Sequence, residues 1–248
     1  MTRDDLGHPV DLRGQATRVV SLVPSITEAL VSAHRDRVVG ATDWCTHPGD
    51  LDVARVRGTK NPDLAAIRAL SPDLVVANQE ENRELDVRRL RAAGVPVWVT
   101  VIETVPQAIA SLERLFDEAL RWQCPAWLAQ ARDLWCGDLP PVDRRVAIPV
   151  WRDPWMAVGS STFTGDLARR LGLANVLAEH AERYPTMSVE ELEQAGADVI
   201  LLPDEPYTFT ADDGPEAFTR TPTELVSGRL LTWYGPSLVE AHRGLARS

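Results

Sequence analysis

Two stretches of the chain run through the same order of polar and apolar positions. Residues 63–77 (DLAAIRALSPDLVVA) and 188–202 (SVEELEQAGADVILL) align at a constant offset of 125, with Asp73 over Asp198, Ile67 over Leu192 and Val75 over Ile200. In each copy apolar side chains at helical spacing (Leu64, Ile67, Leu70; Val189, Leu192) give way to an unbroken apolar run (Leu74, Val75, Val76; Val199, Ile200, Leu201, Leu202). The first pattern predicts a short amphipathic helix, and the second a parallel strand covered on both faces. A repeated helix-strand unit predicts two similar α/β lobes. Such a pair predicts in turn a ligand cleft between the lobes, at the carboxyl ends of the parallel strands.

The rest of the chain fills in around the repeat. Residues 18–23 read as a strand ending at Pro24, followed by a helix that Ser25 or Thr27 caps, with Glu28 placed for a capping box to Ser25. A second strand near 37–41, an irregular loop over 42–62, a helix over 84–93 stopped by Gly94 and a strand over 95–101 complete the first lobe. Residues 105–135 are helical in pattern and broken only at Cys124-Pro125, which predicts one helix ending near Trp122 and another starting near Pro125. A strand over 145–150, a helix over 163–171 ending at Gly172, the second echo and a closing segment over 230–245 form the other lobe. The predicted fold is α/β: an N-terminal lobe (1–103) and a C-terminal lobe (143–248), both with mainly parallel sheets. Linking helices (104–142) form a rigid bridge that limits closure to a modest rocking.

Composition narrows the function. The 248 residues are 44% apolar and 25% charged, and the formal net charge is −10. An acidic chain without a local Lys/Arg cluster argues against nucleic acid as partner. Lys60 is the one lysine among 26 basic residues, a preference better explained by genomic composition than by a phosphate site. No stretch approaches the roughly 20 apolar residues that span a bilayer. Residues 1–15 lack an apolar signal core, which predicts a cytoplasmic protein, or a periplasmic or extracellular one if the start is truncated. Three cysteines at irregular spacing (Cys45, Cys124, Cys136) give neither a disulfide framework nor a CxxC motif.

Candidate chemistry gathers where strands end, and aromatic residues dominate it. Ser25, Trp44 and Asn78 follow strands of the first lobe. Trp151, Arg152, Trp155, Tyr184, Asp204, Glu205, Tyr207, Phe209, Trp233 and Tyr234 hold similar places in the second. Aromatic walls bury a flat or bulky ligand while offering polar tips, although tryptophans near strand ends also serve as core filler. In Trp151-Arg152-Asp153-Pro154-Trp155 the arginine either forks onto a ligand carboxylate, amide or phosphate or pairs with Glu205 to hold the wall. The five histidines show no i, i+4 pairing and no HExxH, so no metal site is predicted. Cys45 and His47 offer at most a soft pair to a ligand's own metal, and a lone cysteine is more often a small buried hydrophobe. Neither GxSxG nor a glycine-rich phosphate loop occurs.

The segments RVVSLVPSITEAL, VVGATDW, GTKNPDLAAIRALSPDLVVAN and YPTMSVEELEQAGADVILL resemble the class III, helical-backbone substrate-binding proteins of ABC importers, closest to the vitamin B12-binding branch. The resemblance runs from about Arg18 to Leu245. It implies a ligand-binding protein for a corrinoid, metal chelate or similar small molecule, with no required cofactor, no catalytic residue and an ABC transporter permease as partner. By position, the branch's cobalamin-contacting places fall on Ser25, Trp44, Thr59, Asn78 and Tyr184. Thr59 and Asn78 stand where that branch usually carries tryptophan; two lost ring contacts at roughly 1–3 kcal/mol each imply a smaller or more polar ligand. WRDPWMAVG, LLPDEPYTF and LTWYGPSL resemble a less characterised branch and add Trp151, Arg152, Glu205, Tyr207 and Trp233. Of the family's two acids that dock onto the transporter, Glu190 matches one and Ala65 stands at the other. Two alternatives stay open: a cytosolic enzyme acting on a corrinoid or related cofactor, using Glu28, Asp204 or Glu205 as acid or base and Cys45 as nucleophile, and an importer subunit whose signal peptide is missing.

Overall fold

The structure, a computed structural model, describes residues 2–245. The chain divides into two compact units: the first takes the chain up to Ile102, Pro106–Arg132 and Tyr234–Pro236, and the second takes Glu103–Val105, Asp133–Trp233 and the chain from Ser237. This corrects the expected boundaries in two places. Most of the 104–142 helical region packs as part of the first unit, and the tripeptide Tyr234–Pro236 leaves the C-terminal sequence to join it.

In the first unit five strands lie parallel in the order Ala54–Arg55, Val38–Ala41, Val19–Ser21, Leu74–Asn78, Val97–Thr100. In the second, four parallel strands run Leu173–Asn175, Arg144–Ala147, Val199–Pro203, Thr223–Val226. Leaving aside the edge strand Ala54–Arg55, both sheets share one order. Their cores are equivalent too: Val20, Ile67, Val75, Leu90 and Val99 in the first, Ala147, Leu192, Ile200, Leu202 and Phe209 in the second.

The echo is exact in register. Helices Leu64–Ala69 and Val189–Gln194 lead to strands Leu74–Asn78 and Val199–Pro203, and every residue of both strands is buried. Each helix is capped at the same place. Asp63 Oδ1 accepts from the N–H groups of Ala65 and Ala66 at 3.0 Å, and Ser188 forms a capping box with Glu191. The paired aspartates do one job. Asp73 Oδ2 accepts from Thr17 N–H (2.8 Å), Thr17 Oγ1 (2.7 Å) and Arg18 N–H (2.9 Å), while Asp198 accepts from the N–H (2.8 Å) and guanidinium (3.0 Å) of Arg145. Each carboxylate thereby staples the start of its echo strand, Leu74–Asn78 or Val199–Pro203, to the start of Val19–Ser21 or Arg144–Ala147. Hydrogen bonds from Thr17 and Arg18 outweigh partial desolvation and hold Asp73 below the ordinary carboxylate range; those from Arg145 do the same for Asp198.

Several local expectations are corrected. The first helix spans Pro24–His34 with Val23 as N-cap and no side-chain cap, because proline at the first helical position presets its own φ and has no N–H to satisfy. Ser25 and Glu28 therefore form no capping box; Thr27 Oγ1 donates back to the Val23 carbonyl at 2.9 Å. The helical stretch, by contrast, breaks where expected: Val105–Arg114 runs on as a π-helical turn over Leu115–Leu120 and stops at Arg121 in the left-handed region, and the next helix is Ala126–Trp135. The closing segment is two helices, Gly228–Thr232 and Ser237–Gly244. Among the described residues no helix is long and apolar enough to cross a membrane.

Candidate functional site

In the first unit the strand ends are organised by a polar turn. Asn78 is 2% exposed: its Nδ2 donates to Thr100 Oγ1 (3.1 Å), and its Oδ1 accepts from the N–H groups of Glu80 (2.8 Å) and Glu81 (3.2 Å). Asn82 Oδ1 accepts from Asn78 N–H (2.8 Å), and its Nδ2 donates to the carbonyls of Leu22 (3.2 Å) and Thr59 (3.0 Å). Asn78, expected to offer its amide to a ligand, builds this turn through its Oδ1 and one Nδ2 hydrogen. Thr59 is half-buried and anchored through its carbonyl.

The turn carries Glu81 inward, where its Oε1 accepts from the Tyr234 hydroxyl at 2.8 Å. Desolvation pushes the Glu81 carboxyl up to about 7, against the lowering effects of the Tyr234 hydrogen bond and the Lys60 charge. Tyr234 is driven well above the phenol range by burial and by that carboxylate. The buried Ser25 hydroxyl lies beside it. On the same unit Trp44 is 64% exposed, on the loop after Val38–Ala41. Arg55 pins that loop by donating at 3.0 Å to the carbonyls of Thr42, Cys45 and Leu51. A β-carbon at Gly58 would lie 3.3 Å from Trp44 Nε1, so glycine there lets the backbone approach the indole.

The second unit brings together Trp151, Arg152 and Tyr207. Trp151 is 44% exposed and meets Tyr207 edge to face, with ring centroids 5.7 Å apart. The Tyr207 hydroxyl donates to Asp213 Oδ2 at 2.7 Å. Arg152 pairs with Asp213 and Glu216 and lies 5.4 Å from the Trp155 ring centroid, and Trp155 stacks on Phe209. The expected pairing of Arg152 with Glu205 is corrected: its partners are Asp213 and Glu216. Glu205 is half-buried against Gly228, where a β-carbon would stand 2.5 Å from Glu205 Cγ. Trp233, 6% exposed, is wall rather than surface, and Tyr184 is half-buried before the second echo helix. Glu190 is exposed on that helix, accepting from Gln194 Nε2 at 3.0 Å, and Ala65 is exposed at the equivalent place of the first.

Sequence reasoning did not single out Glu81, which stands at this strand end with a perturbed carboxyl. The signal was present in Glu80-Glu81-Asn82, two consecutive acids just beyond the carboxyl end of a buried parallel strand. The proposed nucleophile is poorly suited to that task. Cys45 is buried, its Sγ contacted by Thr27 Oγ1 (3.0 Å) and Thr42 Oγ1 (3.1 Å), and burial raises its thiol above the ordinary range, which keeps the thiolate scarce. Asp204 Oδ1 accepts from Gly228 N–H at 2.6 Å, a structural tie. Among the described residues no three His, Cys, Asp or Glu side chains cluster as a metal site.

No protein-family model matches the chain. The vitamin B12-binding protein of Vibrio campbellii is 29% identical over 188 residues, 72% of this chain and 68% of that protein. The chain spans about two thirds of the length of the curated relatives it matches. A periplasmic heme-binding protein from Pseudomonas aeruginosa superposes with a TM-score of 0.77 at 19% identity, over 93% of this chain and 91% of that one. A nickel–histidine complex from Helicobacter pylori does so with 0.79 at 15% identity, over 99% and 86%. The chain has the class III substrate-binding-protein fold. In sequence it is similar to vitamin B12-binding proteins, as the quoted segments imply. The relatives are binding proteins, which does not favour the enzyme alternative. Solved structures of this fold include proteins described as periplasmic, so the expected cytoplasmic location gains no support from them.

Proposed function

We propose that this class III chain is a non-enzymatic binding protein that takes a corrinoid, tetrapyrrole or metal chelate on its strand-end side chains and passes it to an ABC permease outside the cytoplasm. The observation that carries this is the exposure of a large indole at the strand ends of each unit, Trp44 at 64% and Trp151 at 44%. Both stand on fixed supports, the Arg55-pinned loop and the Tyr207 ring, so little ordering entropy is lost on binding. The naming of the relatives as vitamin B12-binding proteins supports the ligand class. Non-aromatic Thr59 and the turn-building Asn78 favour a ligand smaller or more polar than cobalamin. The exposed Glu190 supports docking through the second echo helix.

Calorimetric titration with cobalamin, cobinamide and haem tests the reading, with Trp44→Ala beside the wild type. Micromolar or tighter binding of one of them, weakened tenfold or more by the substitution, is the expected result. No heat from any of the three would overturn it.

A further inference from the structure

Four inward-facing acids of this protein are each met by a guanidinium, and Glu81 is not. Asp4 pairs with Arg91, Asp5 with Arg114, Asp166 with Arg170 and Glu193 with Arg220, each carboxylate side chain at most 20% exposed. Glu81 meets a phenol instead, the Tyr234 hydroxyl at 2.8 Å. The groups around it are Glu80 on its own turn, Lys60, the Cys45 thiol and the Ser25 hydroxyl beside Tyr234. Lys60 Nζ is directed to the Glu80 carbonyl. Glu81 is therefore a desolvated carboxylate whose direct partner is a phenol and not a guanidinium.

We infer that Glu81, oriented by Tyr234, is the residue through which the first unit selects a positively charged ligand group. This rests on the binding-protein reading above and narrows its ligand class. A cation supplies the countercharge that arginine supplies to those four acids, and it favours the ionised carboxylate. Burial also drives the Glu81 carboxyl upward, opposite in direction to other shifted acids of the chain. Asp50, Asp63, Asp73, Glu191, Glu193, Asp198 and Glu216 all shift down. Perturbation of that kind marks groups kept for function. Binding of a cation releases the proton that Glu81 holds near neutral pH.

The test titrates wild type, Glu81→Gln and Tyr234→Phe with cationic aquacobalamin, neutral cyanocobalamin and anionic haem, at pH 6 and pH 7.5 in buffers of differing ionisation heat. Wild type should prefer aquacobalamin to cyanocobalamin, gain about eightfold in affinity for it between the two pH values, and release about 0.9 proton at pH 6 and about a quarter of one at pH 7.5. In Glu81→Gln the ratio of aquacobalamin to cyanocobalamin affinity should fall to about one and lose its pH dependence. Equal affinity for the two corrinoids, or a preference that survives in Glu81→Gln, overturns the inference and leaves the binding-protein reading standing. A ligand-free arm follows the Glu81 carboxyl by carbon NMR, and titration in the ordinary carboxylate range also overturns it. If none of the probes binds, the functional reading falls and takes this one with it.

Discussion

Replacing Glu81 by glutamine should stabilise the protein at alkaline pH, an uncommon outcome for a half-buried polar residue. Burial pushes the carboxyl up to about 7 in the folded chain, against 4.5 for an ordinary glutamate. Below pH 4.5 it is protonated in both states and costs nothing. Between pH 4.5 and 7 the unfolded chain ionises while the folded one resists, so stability falls as pH rises, and above 7 the full loss is in place. A shift of 2.5 units at 1.36 kcal/mol each gives about 3 kcal/mol at the plateau. Glutamine keeps a carbonyl oxygen to accept from Tyr234 and removes the charge. Urea unfolding followed by tryptophan fluorescence at pH 4 and pH 8.5 measures the effect: the variant should match wild type at the lower pH. At the higher pH its midpoint should rise by on the order of 1 M, given typical urea slopes. A variant less stable than wild type at pH 8.5, or equal to it at both, would refute the reasoning, because it would mean the carboxylate is already paid its countercharge inside the fold.

Three further expectations are independent of any ligand. Asp73→Ala and Asp198→Ala remove equivalent staples in separate units, so each should lower the thermal midpoint by roughly 2–4 °C. The two effects should add in the double variant, and scanning calorimetry reads both points. Gly228→Ala forces a β-carbon against Glu205 and should cost about 1–3 kcal/mol in chemical unfolding; an unchanged midpoint would show that the Glu205 segment yields. A maleimide reagent should modify exposed Cys124 and Cys136 in the native protein, while buried Cys45 reacts only on unfolding, which mass spectrometry of the labelled peptides resolves.

The scaffold was readable because it is written in local patterns. The paired helices and strands, and the stops at Gly94 and Gly172 with φ of +78° and +82°, depend on residues within a few positions of one another. The site was less readable because its bonds are distant. Arg152 reaches acids 61 and 64 residues onward, and Glu81 meets a tyrosine 153 residues away. Nothing in the neighbouring sequence specifies those partners. Asn78 was ambiguous for another reason: asparagine serves equally as a ligand amide or as a turn builder, and the Thr100 bond that holds it comes from the adjacent strand.

The two copies of the repeat diverge at the place where recognition would demand it. Up to the last strand residue they agree in cap, staple and burial, because each of those features holds a parallel sheet together. Beyond it, at the same offset of 125, Asn78 faces Pro203, Glu81 faces Pro206 and Asn82 faces Tyr207. In the first unit the turn is tied by the Asn78 and Asn82 amides and directs an acid inward; in the second a proline turn places Tyr207 under Trp151 and against Asp213. A scaffold free to vary only past its strand ends can change its ligand without changing its fold. That separation explains how the chain keeps a fold shared with heme-binding and nickel–histidine structures while presenting strand ends of its own.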